Sequence, residues 1–341
     1  MKKILTFIFA TVVIPLSSCS KETIEKKPAD DEKIIVAYVT SWSTIIPETQ
    51  YVTHVNYAFA HVNTTFDGVI IDKEERFRAI AKLKSEKVKI LLSIGGWGSG
   101  RFSEMAASAT SRNKFALDCA RVVRDFEIDG IDIDWEYPTV GSAGISYSPD
   151  DTENYTLLMR DLRNAIGDDK LLTLASVASG KYIDFMAIEQ YIDFVNIMAY
   201  AMDESPKHHS AMYRSEHTGE MSCEEAVNAH LATGLPPSKL VLGIPFYGRA
   251  RGELGRSANY SKIMTLGDNY TRMWDDIAKC PYLVDTAGDI VCSYENPQSI
   301  EVKCKYIIDN GLLGIMYWEY SADDAEGTLR KSVHNQLKIK N

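Results

Sequence analysis

Eight apolar, strand-length runs separated by longer segments recur along most of this chain. The runs cover residues 34–39, 52–60, 89–94, 130–136, 172–177, 194–200, 240–246 and 313–318. Helical patterns between them include residues 73–86, 111–126, 153–166 and 223–233. Eight strands that alternate with helices are typical of a (β/α)8 TIM barrel. We therefore predict an α/β fold with such a barrel over residues 33–338.

The connection between the last two predicted strands is much longer than the others. It runs from about residue 250 to residue 310, which is more than one helix requires. We predict a small α+β insertion over about residues 250–300, followed by the last helix from about residue 297.

The fourth predicted strand carries three acidic residues at alternate positions. It reads DGIDIDWEYP over residues 129–138, with single apolar residues between Asp132, Asp134 and Glu136. Successive side chains of a strand point to opposite faces, so the acids share one face and the apolar residues pack on the other. Carboxylates in one column repel one another and are costly to bury. The column therefore indicates a site for a hard metal ion or a catalytic carboxylic acid with a raised pKa, rather than a solvated edge strand.

The same stretch resembles the active-site signature of glycoside hydrolase family 18, on its chitinase side, which has the form DxxDxDxE. The ends of other predicted strands are similar to further motifs of that family. They read SIGGW at 93–97, NIMAY at 196–200, PFYGR at 245–249 and GIMYWE at 314–319. The resemblance covers nearly all of the chain after its N-terminal segment. It implies that functional residues gather at the C-terminal ends of the barrel strands and that the insertion forms one wall of a substrate cleft.

The resemblance also implies the roles of the catalytic candidates. Glu136 would protonate the glycosidic oxygen and later act as a base. Asp134 would orient the acetamido group of the substrate, and Asp132 would share a proton or a hydrogen bond with Asp134. Tyr200 would donate a hydrogen bond to the acetamido oxygen. The implied mechanism uses no metal ion and no other cofactor, so the metal-ion alternative has no support from this family.

Further candidates would bind the sugar or shape the cleft. Asp129 would fix the entry of the fourth strand, and Ser93 belongs to the SxGG motif. Strand alternation places Tyr57 and Phe59 on one face of the second strand. The substrate-binding candidates are mainly aromatic residues and glycines at strand ends: Trp318, Trp97, Met198, Tyr247, Arg249, Tyr38, Phe59, Gly95 and Gly96.

One position departs from the family's pattern. The tyrosine of the Met-x-Tyr motif is usually followed by aspartate, but here Ala201 follows Tyr200 and an aspartate comes only at Asp203. The family's carboxylate would help to hold the sugar and to tune the catalytic acid. The pH profile and the affinity for the central sugar therefore stay open.

The implied activity is retaining, substrate-assisted hydrolysis of β-1,4 N-acetylglucosamine linkages in chitin or its oligomers. Trp135, the Tyr137-Pro138 ending and the insertion favour this interpretation. Two alternatives remain. One is an endo-β-N-acetylglucosaminidase that acts on N-glycans, and the other is a catalytically weak, glycan-binding relative, for which Ala201 is the main argument. Endo or exo action stays open.

The N-terminal segment predicts export and a lipid anchor. Met1-Lys2-Lys3 precedes an apolar run that ends in Leu16-Ser17-Ser18-Cys19. A basic start, a short apolar region and small residues are typical of a signal peptide, and small residues before a cysteine resemble a bacterial lipobox. We predict a signal peptide at 1–18, lipid attached to Cys19, and a flexible tether at 19–32. The expected location is the bacterial cell envelope, on the periplasmic side or the cell surface, with the membrane and leaflet left open.

The net charge limits the classes of binding partner, and the cysteine positions bear on burial and disulfide formation. The formal net charge of −10 disfavours nucleic-acid binding, which needs clustered cations, and it suits a neutral glycan. We expect a monomer. Cys119 lies in a helical apolar pattern and is expected to be buried. Cys280, Cys292 and Cys304 are close enough in sequence to permit one disulfide, which the sequence leaves open.

Overall fold

The computed structural model describes Met1 and residues 33–337. The predicted lipidation site at Cys19, the tether at 19–32 and the rest of the signal peptide lie outside the described residues, as does residue 338 at the predicted end of the barrel. Within the described part of the chain, no helix combines the length and the apolar character that crossing a membrane requires.

The described strands, in chain order, are β1 Ile34–Thr40, β2 His54–Val62, β3 Val69–Ile71, β4 Lys89–Gly95, β5 Gly130–Asp134, β6 Leu171–Val177, β7 Phe194–Met198, β8 Leu240–Pro245, β9 Tyr247–Ala250, β10 Ser257–Asn259, β11 Thr271–Asp275, β12 Cys280–Val284, β13 Ile290–Ser293 and β14 Gly314–Trp318. The helices are α1 Glu74–Ala81, α2 Phe102–Ala107, α3 Ala109–Asp125, α4 Asp151–Ile166, α5 Phe185–Ile188, α6 Cys223–Leu231, α7 Tyr260–Met264, α8 Pro297–Asp309 and α9 Thr328–Leu337.

Eight parallel strands close into a barrel, which confirms the predicted fold. Their order is β1-β14-β8-β7-β6-β5-β4-β2, and β1 also pairs with β2 to complete the ring. The short strand β3 adds to β2 in the antiparallel direction. Strand β3 was not predicted, because three residues are too few to show a period. In parallel barrels all strands end at the same face, so the motifs at their C-terminal ends are brought together there.

A second sheet forms the insertion between β8 and α8. Its order is β10-β9-β13-β12-β11, and it carries the short helix α7. The sheet begins at Tyr247, directly after the buried Phe246, so it starts three residues earlier than the predicted insertion. Helix α8 begins at Pro297, where the Asn296 side chain accepts a hydrogen bond from the Ser299 N–H at 2.9 Å. A capping residue followed by proline at the first helical position is a strong helix start.

Most apolar packing lies in two layers, one outside and one inside the ring of barrel strands. The larger layer fills the space between the barrel strands and the surrounding helices, and it contains Ile131 and Ile133 from the outward face of β5 and Trp135, which follows the strand. Trp135 stacks on Phe102 of α2 with the ring centroids 5.3 Å apart. Complete burial of one large apolar side chain contributes about 1.5–3 kcal/mol. This layer therefore fixes which face of β5 turns outward, and the acids between these residues must turn into the barrel.

Strand β2 breaks the predicted alternation. The pairing of β2 with β4 shifts register between Ala58 and Ala60, as at a β-bulge. Tyr57 therefore packs outward in the larger core, where its hydroxyl donates to the Asp72 carbonyl at 2.7 Å, whereas Phe59 lies inside the barrel. The prediction that these two rings share one face is wrong, because a bulge changes the side to which the following residues point.

The cysteines of the described residues are buried free thiols. Cys119 is fully buried in the core, as its helical pattern predicts. Cys280, Cys292 and Cys304 are also buried, and they form no disulfide within residues 33–337.

Candidate active site

The acidic strand β5 points its carboxylates into the barrel. Its five residues are buried, and Glu136 follows two residues after the strand ends at Asp134. Asp132 is fully buried, the exposed fraction of Asp134 is 4%, and Glu136 is half-buried. The three acids therefore form a series from the barrel interior to its C-terminal mouth.

Asp132 is held by side chains from four other barrel strands. Its Oδ2 accepts from the Tyr38 hydroxyl at 2.7 Å and from the Ser93 hydroxyl at 2.8 Å. Its Oδ1 accepts from the Thr173 hydroxyl at 2.6 Å and from the Asn196 amide at 3.3 Å. Burial raises the pKa of Asp132, although these hydrogen bonds oppose the rise. The network locks the carboxylate in place.

Asp134 is less satisfied than Asp132. Its Oδ1 is buried and has no hydrogen-bond partner among the described residues. Burial raises its pKa well above the usual value, and the charges of Glu136 and Asp132 raise it further. No hydrogen bond joins Asp132 to Asp134 in this part of the chain, since both oxygens of Asp132 are occupied by uncharged donors. The acceptor on Asp134 is thus left for a donor from a ligand, such as an amide N–H.

Glu136 has the protonation behaviour of a general acid. It lines the cleft at the barrel mouth, and burial raises its pKa to about 7. A carboxyl group with that pKa is protonated in a substantial fraction of molecules near neutral pH, and it still loses its proton readily. Both the proton donor and the base of an acid–base cycle are therefore available on one side chain.

Two glycines allow the turn after β4 to pass close to this site. A Cβ on Gly95 would lie 1.9 Å from the Asp134 carbonyl oxygen, and a Cβ on Gly96 would lie 2.5 Å from the Phe59 ring. Their φ angles of +128° and +90° also favour glycine. The Gly96 N–H donates to the Asp134 carbonyl at 2.8 Å. The turn therefore fixes both the acidic strand and the aromatic floor.

Aromatic rings form the floor of the barrel mouth. Trp318 at the end of β14 stacks on Phe59 with centroids 5.5 Å apart, and it lies 5.6 Å from the Tyr38 ring. Trp42, which follows β1, extends this surface, because its ring lies 6.3 Å from Trp318 and is 63% exposed. Trp97 lies at the cleft mouth with 67% of its surface exposed. Flat apolar faces of this kind suit the C–H faces of sugar rings.

The wall of the cleft comes from β7 and the insertion. Met198 ends β7, and the Tyr200 hydroxyl lies 3.8 Å from the Met316 sulfur. Burial raises the pKa of Tyr200 well above its usual value, so the hydroxyl stays protonated and able to donate. Tyr247 and Arg249 lie on β9, the first strand of the insertion, rather than at the end of a barrel strand as predicted.

The cleft has a volume of about 1020 Å³, which is large enough for several sugar rings. Its lining includes all nine predicted substrate-binding residues, namely Tyr38, Phe59, Gly95, Gly96, Trp97, Met198, Tyr247, Arg249 and Trp318, together with Asp134, Glu136 and Tyr200. Asp132 and Ser93 lie beneath it. The tertiary structure therefore brings the predicted residues to one place.

Asp129 lies at the opposite end of β5 from the cleft. Its Oδ2 accepts from the Ile90 N–H at 2.9 Å, and Lys84 lies 3.2 Å from its other oxygen. These contacts join the starts of β4 and β5, which is the structural role predicted for Asp129.

Sequence reasoning missed several residues of the cleft. Trp42 and Tyr137 line it, and a tryptophan two residues after a barrel strand could have indicated the former. His61 also lines the cleft. Its ring joins the Ser99 hydroxyl at 2.8 Å to the Asp72 carboxylate at 3.2 Å, so it ties the loop that carries Trp97 to β3. No local motif links these three residues. The direction of His61 depends on the bulge in β2, which the sequence does not indicate.

Metal-ligating side chains do not converge at the acidic column. Within residues 33–337, no group of three or more His, Cys, Asp or Glu side chains is arranged to hold a metal ion. The polar contacts of Asp132 come from hydroxyl and amide donors.

A buried acidic strand in a parallel barrel, below an aromatic cleft, indicates a carbohydrate-active TIM-barrel protein. The chain belongs to glycosyl hydrolases family 18, whose model matches residues 34–323. It is 29% identical to Chitinase A1 of Niallia circulans over 97% of this chain and 61% of the relative, so it spans less than two thirds of that protein. It is 30% identical to Chitotriosidase-1 of Mus musculus over 86% of this chain and 74% of the relative.

Among solved structures, the chain is similar to a glycoside hydrolase family 18 N-acetylglucosaminidase from Paenibacillus barengoltzii. The TM-score is 0.81 at 30% identity, and the match covers 89% of this chain and 99% of that one. The shared architecture extends over the whole of that barrel.

Proposed function

We propose that this protein is a glycoside hydrolase that cleaves β-1,4 linkages between N-acetylglucosamine units in chitin or its oligomers. The observation that carries the proposal is Glu136, a half-buried carboxyl with a pKa of about 7, at the mouth of an aromatic cleft and directly above the buried Asp134. The names of the relatives, a chitinase, a chitotriosidase and an N-acetylglucosaminidase, support the substrate class.

The proposed reaction is substrate-assisted and retains configuration at the anomeric carbon. Glu136 gives its proton to the glycosidic oxygen as the bond to the anomeric carbon breaks. The carbonyl oxygen of the substrate's own acetamido group attacks that carbon and forms an oxazolinium ion. The Asp134 carboxylate accepts a hydrogen bond from the acetamido N–H and stabilises the positive charge, while the Tyr200 hydroxyl donates to the acetamido oxygen. Glu136 then takes a proton from the water that opens the ring.

The acetamido group makes this proposal testable. Chitotetraose should be hydrolysed, whereas its fully deacetylated counterpart should not, because the amine has no carbonyl oxygen to attack the anomeric carbon. Mass spectrometry of both digests measures the rates, and the product sizes show whether the cut is internal or terminal. Equal rates on the two oligomers would contradict the assisted mechanism.

Two other functions are tested by the chitotetraose digest together with a glycoprotein digest and a binding measurement. An endo-β-N-acetylglucosaminidase would leave chitotetraose intact and would release glycans from a high-mannose glycoprotein, leaving one N-acetylglucosamine on the protein. A glycan-binding protein would bind the oligomer and cleave neither substrate. The position of Glu136 in the cleft, with a raised pKa, favours hydrolysis, because carboxyl groups with raised pKa values in clefts are typical of catalytic acids.

We also propose that the chain acts as a lipid-anchored monomer of the bacterial cell envelope. The sequence Leu16-Ser17-Ser18-Cys19 supports lipid attachment. Metabolic labelling with a radioactive fatty acid should mark the wild-type chain and not the Cys19→Ser variant. Equal labelling of both would exclude Cys19 as the anchor.

A further inference from the structure

Glu204 joins two walls of the cleft. It lies on the connection between β7 and α6, where its N–H donates to the Asp203 carboxylate at 2.7 Å. Its Oε1 lies 3.4 Å from Arg249 of the insertion and 3.1 Å from Arg256. All three side chains line the cleft. One carboxylate therefore ties the barrel connection to two cations of the inserted sheet.

Arg249 is the cation of this cluster that is suited to a ligand. Only 26% of its side chain is exposed, against 85% for Arg256. Its Nε is buried and has no hydrogen-bond partner in the described part of the chain. An unpartnered buried donor is costly, and a guanidinium offers donors in a fixed plane. Arg249 is thus arranged to meet an acceptor that this part of the protein does not supply.

The acids and small residues around Glu204 do not offer an equivalent carboxylate. Asp203 packs against Gly219, where an added Cβ would lie 1.6 Å from the Asp203 Oδ2, and it does not line the cleft. Ala201 lines the cleft but has no polar side chain. Glu204 is therefore the residue of the 201–204 stretch that brings a carboxylate to Arg249.

We propose that Glu204 is a positioning residue, which holds the Arg249 guanidinium in place for contact with an oxygen of the bound sugar. This inference rests on the proposed function, and it assigns a determinant of glycan affinity to a residue outside the family motifs of this chain. The ion pair orients the guanidinium, and Arg249 makes the contact with substrate. Because the contact is made in the bound ground state as well as during reaction, its loss should weaken binding more than turnover.

Glu204→Gln tests this role by removing the charge while keeping the shape of the side chain. We expect KM for chitotetraose to rise about two- to fivefold, while kcat changes less than about twofold, as for a half-exposed charge pair. In an Arg249→Gln background, Glu204→Gln should add little, because the two side chains act as one unit. Glu216→Gln, the same change on an exposed glutamate of the same connection, is the matched control and should leave KM unchanged.

Thermal unfolding of each variant separates a change in position from a change in folding. An unchanged KM in Glu204→Gln, or an effect as large with Arg249→Gln as without it, overturns the assignment of Glu204. Wild-type protein that leaves chitotetraose intact would instead overturn the proposed function, and this inference with it.

Discussion

Replacing Glu136 with glutamine is expected to abolish hydrolysis of chitotetraose while the barrel stays folded. Glutamine has nearly the same shape but no proton to give at the glycosidic oxygen, and it cannot act as a base. General acid–base catalysis contributes about 10²–10⁴-fold to a rate, and we expect the loss of kcat to reach at least the upper part of that range. Initial rates by mass spectrometry, with circular dichroism as a check on folding, measure the effect.

The pH profile gives a second test of the same residue. Only the protonated form of Glu136 can act as an acid, and burial raises its pKa to about 7. The kcat/KM of the wild type should therefore fall about tenfold per pH unit above pH 7, since it follows the protonated fraction of the free enzyme. Turnover by Glu136→Gln close to that of the wild type, or a flat profile between pH 6 and pH 9, would show that another residue is the acid.

Replacing Asp134 with asparagine is expected to give the second largest loss, about 10²–10³-fold in kcat. Among residues 33–337, the buried Oδ1 of Asp134 has no hydrogen-bond partner. In the proposed mechanism this oxygen accepts a hydrogen bond from the acetamido N–H, and the carboxylate stabilises the oxazolinium charge. The expected loss is of the size found when one preorganised electrostatic group is removed. Asparagine keeps the volume but carries no charge, so the stabilisation of a cationic intermediate is lost.

The leaving group separates the role of Asp134 from that of Glu136. An aryl leaving group departs without a proton, so a nitrophenyl chitobioside should reduce the defect of Glu136→Gln in the first chemical step. The defect of Asp134→Asn should be the same for sugar and aryl leaving groups, because Asp134 acts on the acetamido nucleophile. Burst-phase release of nitrophenol measures that step. A defect of Asp134→Asn that also disappears with the aryl substrate would contradict its assignment.

The local sequence pattern was sufficient to predict the barrel and the inward direction of the acids. Alternation over residues 130–136 places Ile131, Ile133 and Trp135 on one face and the carboxylates on the other, and the packed structure keeps this arrangement. Apolar burial decides it, since a slip of one residue would turn the apolar side chains into the barrel and bury the acids against the helices. Eight such strands, with helices between them, leave few folds other than a closed parallel barrel.

Features that depend on more than one segment were predicted less well. Tyr57 and Phe59 obey alternation in sequence, but the register shift between β2 and β4 sends their rings to different layers. Tyr247 and Arg249 follow an apolar strand, yet they belong to the sheet of the insertion, where β9 pairs with β10 and β13. A bulge and a strand pairing are both set by partners distant in the chain.

The sequence by itself determined the barrel, the inward direction of Asp132 and Asp134, and the strand ends at which the site would form. Only the tertiary structure decided how the carboxylates are held and which residues complete the cleft. The four donors to Asp132 come from four strands, Trp42 extends the aromatic floor beside Trp318, and Glu204 contacts Arg249 of the insertion. The physical reason is that periodicity and burial act on neighbouring residues, whereas hydrogen bonds and ion pairs between distant segments exist only after the chain has folded.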